Sequence, residues 1–184
     1  LFRVGKFRTK RVATAVSGKN VIFRYITMVD VPGDKLQQAV QFEADKYIPF
    51  DVSEVEIDAQ KLSTGTREDG TSEAKVLLAA AKRTVLDDHA RMLTDLGLQP
   101  TSIAIDGFAL GNAYELSDLV NPGVRESDST VALIDIGATK CSINILRNNV
   151  SCFAREVPMG GEELTQALTR RIGIESDAAE SLKR

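Results

Sequence analysis

An acid at the end of an apolar run, followed at once by a glycine, is the pattern here with the clearest chemical use: Ala132-Leu133-Ile134-Asp135-Ile136-Gly137-Ala138-Thr139. A carboxylate on a strand end beside a tight turn can hold Mg²⁺ through water. Glycine lets backbone N–H groups approach phosphate oxygens with no side chain in the way. Downstream, Pro158-Met159-Gly160-Gly161-Glu162-Glu163-Leu164-Thr165 sets two glycines at a helix start, where unpaired N–H groups and the positive end of the macrodipole favour an anion. Each pattern also has a structural reading: an Asp-x-Gly turn between strands is common, and a glycine pair before a helix often serves only as an entry turn. On the functional reading, the two turns face one anion and direct their amide hydrogens into one pocket.

Holding these residues requires strands and helices in a definite order. Residues 131–136, 140–146 and 150–157 read as three strands, followed by helices over 161–172 and from 176 onward. Asn148-Asn149 suits the positive φ angles of a two-residue hairpin turn. With that loop Cys152 faces position 145 and Cys141 faces position 156, so the two cysteines form no disulfide and a reducing cytoplasm is their natural setting. Upstream, residues 11–16 and 21–29 are β-branched or aromatic with Ser17-Gly18-Lys19-Asn20 between them, and read as a strand pair. Leu36, Ala39, Val40, Ala44 and Tyr47 recur at helical spacing between Pro32-Gly33-Asp34 and Pro49. A strand over 55–62, an exposed hairpin loop over 64–72 and an apolar strand over 74–81 come next. A helix over 84–96 follows, closed by Gly97 in the position of a left-handed cap. Residues 103–105 read as a short buried strand and 107–116 as an apolar helix. The composition break over 121–129 marks a domain boundary. Strands followed by helices in both halves give an α/β or α+β architecture.

Composition excludes several function classes. With 43% apolar and 27% charged residues the chain has ordinary globular composition, and no apolar run reaches the roughly eighteen residues of a membrane span. A net charge of −3 argues against nucleic acid as the main partner, because phosphate neutralisation needs a dominant basic face. Only Arg3, Lys6, Arg8, Lys10 and Arg11 cluster as base, and they read as a solvated stretch. The single histidine, His89, lies among Asp87, Asp88 and Arg91 and reads as a surface residue, so no Cys/His metal site forms.

The combined order of landmarks resembles one superfamily. Asp135-Ile136-Gly137-Ala138-Thr139, then Arg155 through Thr165 with its glycine pair, then Ala179-Glu180-Ser181-Leu182-Lys183 is similar to the second half of the actin-like ATPase core. Phe42-Glu43-Ala44, Tyr47-Ile48-Pro49-Phe50-Asp51, Val76 through Lys82, Leu96-Gly97-Leu98 and Phe108-Ala109-Leu110 resemble the PilM pilus-assembly family, a relative of FtsA. The resemblance spans most of the chain. It implies an actin-like ATPase (ribonuclease H-like) α/β fold, incomplete: a small extra subdomain over 1–72, part of the first core subdomain over 73–122 and the start of the second over 129–184. Such proteins open with a first Asp-x-Gly loop and close with a glycine-rich adenosine loop. This chain carries neither, so half a cleft is expected to bind nucleotide poorly and turn it over hardly at all.

The resemblance also implies roles, with ATP and Mg²⁺ as cofactors. Asp135 would orient Mg²⁺-bound water, and Gly137, Ala138 and Thr139 would form the second phosphate loop. Gly160 and Gly161 match the glycine pair. Glu180 and Lys183 match a Glu-x-x-Lys helix that contacts the adenosine ribose; three residues apart, they share a helix face, and a surface ion pair is the plain alternative. Asp106 stands where relatives carry an acid or amide near the attacking water, and an N-cap explains it equally. Lys140 departs from the family pattern, either adding a phosphate contact or lying solvated at an edge. The partner implied is the cytoplasmic peptide of a PilN-like inner-membrane protein, with a groove around Phe42, Tyr47, Ile48, Pro49 and Phe50. Contacts with other pilus-assembly proteins follow, self-association is left open, and the location is cytoplasmic, peripheral to the inner membrane. Three functions stand side by side: a nucleotide-responsive pilus scaffold with at most weak ATPase activity at full length, a small-molecule kinase of the same superfamily, and a degenerate module of a type II secretion system that binds no ATP.

Overall fold

The computed structural model describes residues 2–120 and 129–183, and the chain divides into two units, Leu1–Asp106 and Gly107–Arg184. The first unit begins with a short helix, α1 (Phe2–Gly5), and strand β1 (Arg11–Val16). β-Branched and aromatic residues carry β2 (Val21–Val29), and Pro32 leads into α2 (Gly33–Glu43), which buries Leu36 and Val40. A single 3-10 turn over Ala44–Lys46 ends the helix ahead of Pro49. Strands β3 (Val55–Thr66) and β4 (Ser72–Lys82), helix α3 (Arg83–Asp95) and strand β5 (Gln99–Ile105) follow.

The core of this unit is an antiparallel sheet in the order β2-β4-β3 with α2 packed on it. β4 is central, and its run Val76-Leu77-Leu78-Ala79-Ala80-Ala81 is apolar on both faces, with Val76, Leu78 and Ala80 in the core cluster shared with α2. Leu78, Val40, Val55 and Val76 are the largest side chains shut away from water. The loop expected over 64–72 is shorter, because β3 runs on to Thr66 and β4 starts at Ser72; Arg67 and Glu73 close it with an ion pair of 2.7 Å.

β1 and β2 do not pair with each other, contrary to the sequence expectation. β1 lies parallel to β5, and β2 pairs with β4. The turn at 17–20 carries the chain from one sheet to the other: Gly18 takes a φ of 97°, Val21 N–H donates to Gly18 O, and Lys82 N–H donates to Asn20 O. Local pattern identified both strands, but a turn of this kind serves either a hairpin or a change of sheet. α3 ends as expected. Gly97 has a φ of 74°, its N–H donates to Thr94 O, and Leu98 N–H donates to Leu93 O, the two bonds of a Schellman cap. His89 is half-buried rather than solvated, with Nε2 2.8 Å from Thr14 Oγ1, which ties α3 to β1.

The second unit contains α4 (Asp106–Val120) from Gly107 onward, then β6 (Thr130–Ile136), β7 (Cys141–Arg147), β8 (Val150–Val157), α5 (Gly161–Leu168), a π turn over Thr169–Gly173 and α6 (Ser176–Lys183). The boundary expected at 121–129 lies, up to residue 128, outside the described residues. The sheet is antiparallel with β7 in the middle, and one face of β7 buries Ser142, Asn144 and Leu146. Asn144 Nδ2 donates to Gly107 O at 3.1 Å and its Oδ1 accepts from Ser151 Oγ at 2.6 Å, so α4 is fastened to the sheet through a buried amide. A methyl group on Gly111 would come within 3.3 Å of that amide nitrogen.

Asn148 and Asn149 take φ angles of 51° and 64°, the two positive values of the expected hairpin turn. Beyond it the register slips by one. Leu146 pairs with Ser151 but Ile145 pairs with Phe153, leaving Cys152 as a bulged residue whose thiol donates to Ile145 O. Cys141 therefore faces Val157, and Glu156 faces Ser142, correcting both cysteine placements; both thiols are free. Replacing the fully buried Leu78 by Ala should cost about 2–5 kcal/mol, because the central strand cannot collapse into the space left. Urea unfolding of the two proteins checks this through the shift in midpoint at unchanged slope.

Candidate functional site

The candidate site is built where the β6-β7 hairpin loop meets the start of α5, all within the second unit. Asp135 is exposed one residue before the end of β6 and lies across the ladder from Ser142, on the sheet face that also carries Glu156. Gly137 N–H donates to Lys140 O at 2.9 Å and closes the loop, in which Ala138 and Thr139 are exposed. Lys140 is not solvated at an edge: its Nζ lies 2.8 Å from Glu156 Oε1, an ion pair that braces the loop against β8.

The two turns come into direct contact. Gly161 N–H donates to Gly137 O at 2.9 Å, and Glu162 N–H donates to Ala138 O at 2.8 Å. Gly160 lies so close to the loop that a Cβ there would meet Gly137 O at 2.5 Å and Ala138 O at 2.6 Å. Gly160 N–H itself donates to Glu163 Oε2 at 2.6 Å. The amides of 161 and 162, expected to point at an anion, thus end on loop carbonyls. The physical reason is that helix N-terminal amides need acceptors, and the glycine lets the loop come near enough to provide them.

The Glu163 carboxyl titrates below its ordinary value, first because the Gly160 amide donates to it. A lowered carboxyl pKa contributes stability that is complete above the unfolded value and disappears as pH falls through the folded one. This tether therefore loosens only in acid, below the ordinary carboxylate range.

α6 is clipped onto the start of α5 by a polar cluster. Lys183 Nζ lies 2.5 Å from Glu180 Oε2, 2.9 Å from Thr165 Oγ1 and 3.1 Å from Gly161 O. Thr165, only 5% exposed, is also 2.8 Å from Glu180 Oε2 and 3.0 Å from Gly161 O. The structure thus gathers Asp135, Gly137, Ala138, Thr139, Lys140, Gly160, Gly161, Glu180 and Lys183 into one unit, the last two joined to the glycine pair through Thr165. Sequence reasoning missed Thr165 as a centre, although its i+4 spacing from Gly161 places both on one helix face. It also missed Ser142 and Asn144, whose burial under α4 has no local signature. Asp106 is half-buried and opens α4, the position of a helix start.

The five residues expected to line a partner groove separate in the first unit. Phe42 is 90% exposed and Pro49 is exposed, whereas Ile48 is buried in the core, and Tyr47 and Phe50 pack against it. Phe50 also carries Lys82 Nζ 5.3 Å from its ring centre. Ile48 is therefore a core residue and not part of a groove, because it completes the apolar face under α2.

The strands, the acid-glycine loop and the glycine pair on the next helix define an α/β protein of the actin-like ATPase class, present here in part. Residues 1–184 match the family described as type IV pilus assembly protein PilM, and the chain belongs to that family. Among solved structures it is similar to the PilM-PilN type IV pilus biogenesis complex, with a TM-score of 0.81 and 28% identity, covering 99% of this chain and 52% of that one. It is similar to the cell division protein FtsA of Bacillus subtilis (strain 168), 29% identical over 112 residues, 61% of this chain and 24% of FtsA. FtsA of Streptococcus pneumoniae serotype 2 (strain D39 / NCTC 7466) is 27% identical over 111 residues, 60% of this chain and 23% of FtsA. The chain thus spans 52% of the solved relative and 24% of the first of these curated ones.

Replacing Gly160 by Ala should destabilise the second unit by about 1–3 kcal/mol, because the new methyl group must displace backbone rather than a movable side chain. Thermal unfolding checks the loss. Amide hydrogen exchange should speed up at Gly161 and Glu162 before it does so in β7.

Proposed function

We propose that this chain is part of a scaffold protein of type IV pilus assembly that binds ATP with Mg²⁺ and takes the cytoplasmic peptide of a PilN-like inner-membrane protein. The observation that carries the nucleotide reading is the junction itself: an acid, a glycine-bearing loop and a glycine-started helix held together by backbone bonds. The donor set suits the group. Asp135 is an exposed carboxylate beside the loop, and hydrated Mg²⁺ typically takes only one or two carboxylates together with phosphate oxygens. Asp135 would hold that ion through water, and the loop of Gly137, Ala138, Thr139 and Lys140 would lie along the phosphates. Glu180 would offer an acceptor to the ribose hydroxyls, and Lys183 would offer a donor by releasing one of its three acceptors, Gly161 O, Thr165 Oγ1 or Glu180 Oε2. Bound Mg²⁺ would supply charge neutralisation at the phosphates. Asp106 stays a proposal for the residue near the attacking water.

The partner reading is supported by the solved relative, a complex of PilM with PilN. On this chain Phe42, with Pro49 beside the packed Tyr47 and Phe50, is the surface we assign to such a peptide. A cytoplasmic location beside the inner membrane goes with it. Among the described residues no helix is long and apolar enough to cross a membrane. A second reading, a partner-binding module without ATP, draws on the engagement of the 161 and 162 amides by loop carbonyls, which reduces what the helix start offers an anion.

Both readings meet in one titration of the family-length protein. Asp135→Ala should weaken Mg²⁺-ATP binding by about tenfold or more, as expected when a charge-assisted interaction is lost, with thermal stability kept because Asp135 is exposed. Calorimetry showing equal affinity in both proteins overturns the metal role, and no ATP binding by the parent favours the second reading. Phe42→Ala should cost the partner peptide about 1–2 kcal/mol of binding without altering the fold. Fluorescence anisotropy with a labelled PilN-like tail measures it.

A further inference from the structure

In the sheet order β2-β4-β3, β3 has a neighbouring strand on one side only. Which of its backbone groups face the open side follows from the ladder. Lys82 N–H donates to Asn20 O and Asp30 N–H donates to Ser72 O, so the even-numbered residues of β4 turn their backbone groups to β2. The odd-numbered ones, Ala81, Ala79 and Leu77, turn theirs to Glu56, Asp58 and Gln60 of β3. The N–H and C=O groups of Val55, Ile57 and Ala59 therefore point away from the sheet, where an incoming strand would bond them.

Each of these three residues has an outward group taken by a side chain. Val55 O accepts from Arg83 Nε at 3.2 Å, Ile57 O accepts from Gln37 Nε2, and Ala59 N–H donates to Asp58 Oδ1 at 2.8 Å. Arg83 opens α3, Gln37 stands on α2 and Asp58 lies on β3 itself, so the cover comes from three elements. Glu56 Oε1, 3.3 Å from Arg83 Nη2, keeps the guanidinium at its post. Just beyond, the register slips between Lys61 and Ser63, a bulge that breaks any straight ladder along this edge. The opposite edge of the sheet repeats the device: Arg24 Nη1 donates at 3.0 Å to Phe23 O, which faces outward by the same alternation.

Charge alone does not close the β3 edge to another β3. With two such strands antiparallel and Ala59 across from Ala59, Ile57 meets Lys61 and Asp58 meets Gln60, so no like charges stand opposite. We infer that Arg83, Gln37 and Asp58 hold this edge closed to the β3 strand of a second copy of the chain, and that removing them opens it. An incoming strand must displace two donors from the carbonyls and one carboxylate from the Ala59 amide before its own bonds form. Side chains that merely satisfy nearby backbone would cost stability when removed, but would cause no association.

The experiment uses the family-length protein as the parent, as the triple variant Gln37→Ala, Asp58→Ala and Arg83→Ala, and as that variant with Ala59→Pro added. Proline deletes the outward N–H at 59, which β4 does not use, and an edge strand tolerates it there. Sedimentation velocity over a concentration series should show the triple variant associating with itself at least about tenfold more tightly than the parent. Ala59→Pro should return it to the parent's level. Hydrogen exchange at the Ile57 amide should slow as the triple variant is concentrated, while Asp58 and Gln60, already turned to β4, stay as they are. Asp58→Ala alone, a change at an exposed residue, gives the same direction with a smaller effect and serves if the triple variant fails to fold. Equal self-association of the parent and the variants overturns the inference. Association that leaves Ile57 exchange unchanged, or that Ala59→Pro does not reverse, overturns it as well, because another surface then carries the contact. Slowing of Ile57 exchange on concentrating the parent does the same, since the edge is then open with all three side chains in place.

Discussion

Two peptide N–H groups at the start of α5 end on two carbonyls of the β6-β7 loop, and Gly160 makes their approach possible. A helix start leaves its first amides without internal partners, and they must find acceptors or water. Here the loop carbonyls answer two of them and the Glu163 side chain answers the amide just before. Each such backbone bond is worth only about 0.5–1.5 kcal/mol net. Their larger effect is geometric: they fix the height and direction of α5 relative to the sheet, and α6 is then seated on α5 through Lys183, Glu180 and Thr165.

The sheet beneath is polar where a sheet is usually apolar. Ser142 and Asn144 are buried under α4, and among the described residues Ser142 Oγ has no hydrogen-bond partner. A buried amide that is fully used, as in Asn144 with Gly107 O and Ser151 Oγ, specifies one docking position for the helix, whereas an apolar contact tolerates sliding. Gly111 lets the helix sit close enough for that specification to hold. The first unit relies on the opposite principle. Its central strand is apolar on both faces, and α2 is held by the packing of Leu36 and Val40 together with a bond from Gln37 Nε2 to Ile57 O.

Elements set by local chemistry were legible in the amino acids. Gly97 ends α3 with the φ a left-handed cap needs, Asn148-Asn149 adopts the positive angles of its turn, and all three strands of the second sheet were read within a residue of their bounds. What the sequence did not disclose depends on partners distant along the chain. β1 could join β2 or β5, and nothing in residues 11–16 decides between them; His89 looked solvated because its hydrogen-bond partner, Thr14, lies 75 residues away. Ile48 carried the chemistry of an anchor and of a core residue alike, and only its position under α2 separates the two. At the candidate site the residue types and the nearness of the two turns were readable. The destination of the helix amides was not, because it depends on how closely one glycine lets another backbone approach.

The bulge at Cys152 has a reach well beyond its own residue. Side chains on a strand alternate, so one extra residue exchanges the faces of everything after it. Because of it Glu156, and not Arg155, stands across from Ser142 on the Asp135 side of the sheet, where it meets Lys140. Without the insertion an arginine would occupy that place, and the acidic character of this face would be reversed. The electrical sign of the surface beside the loop is thus written in chain length rather than in residue type, and a single-residue deletion near the hairpin would change it while leaving every charged residue in place.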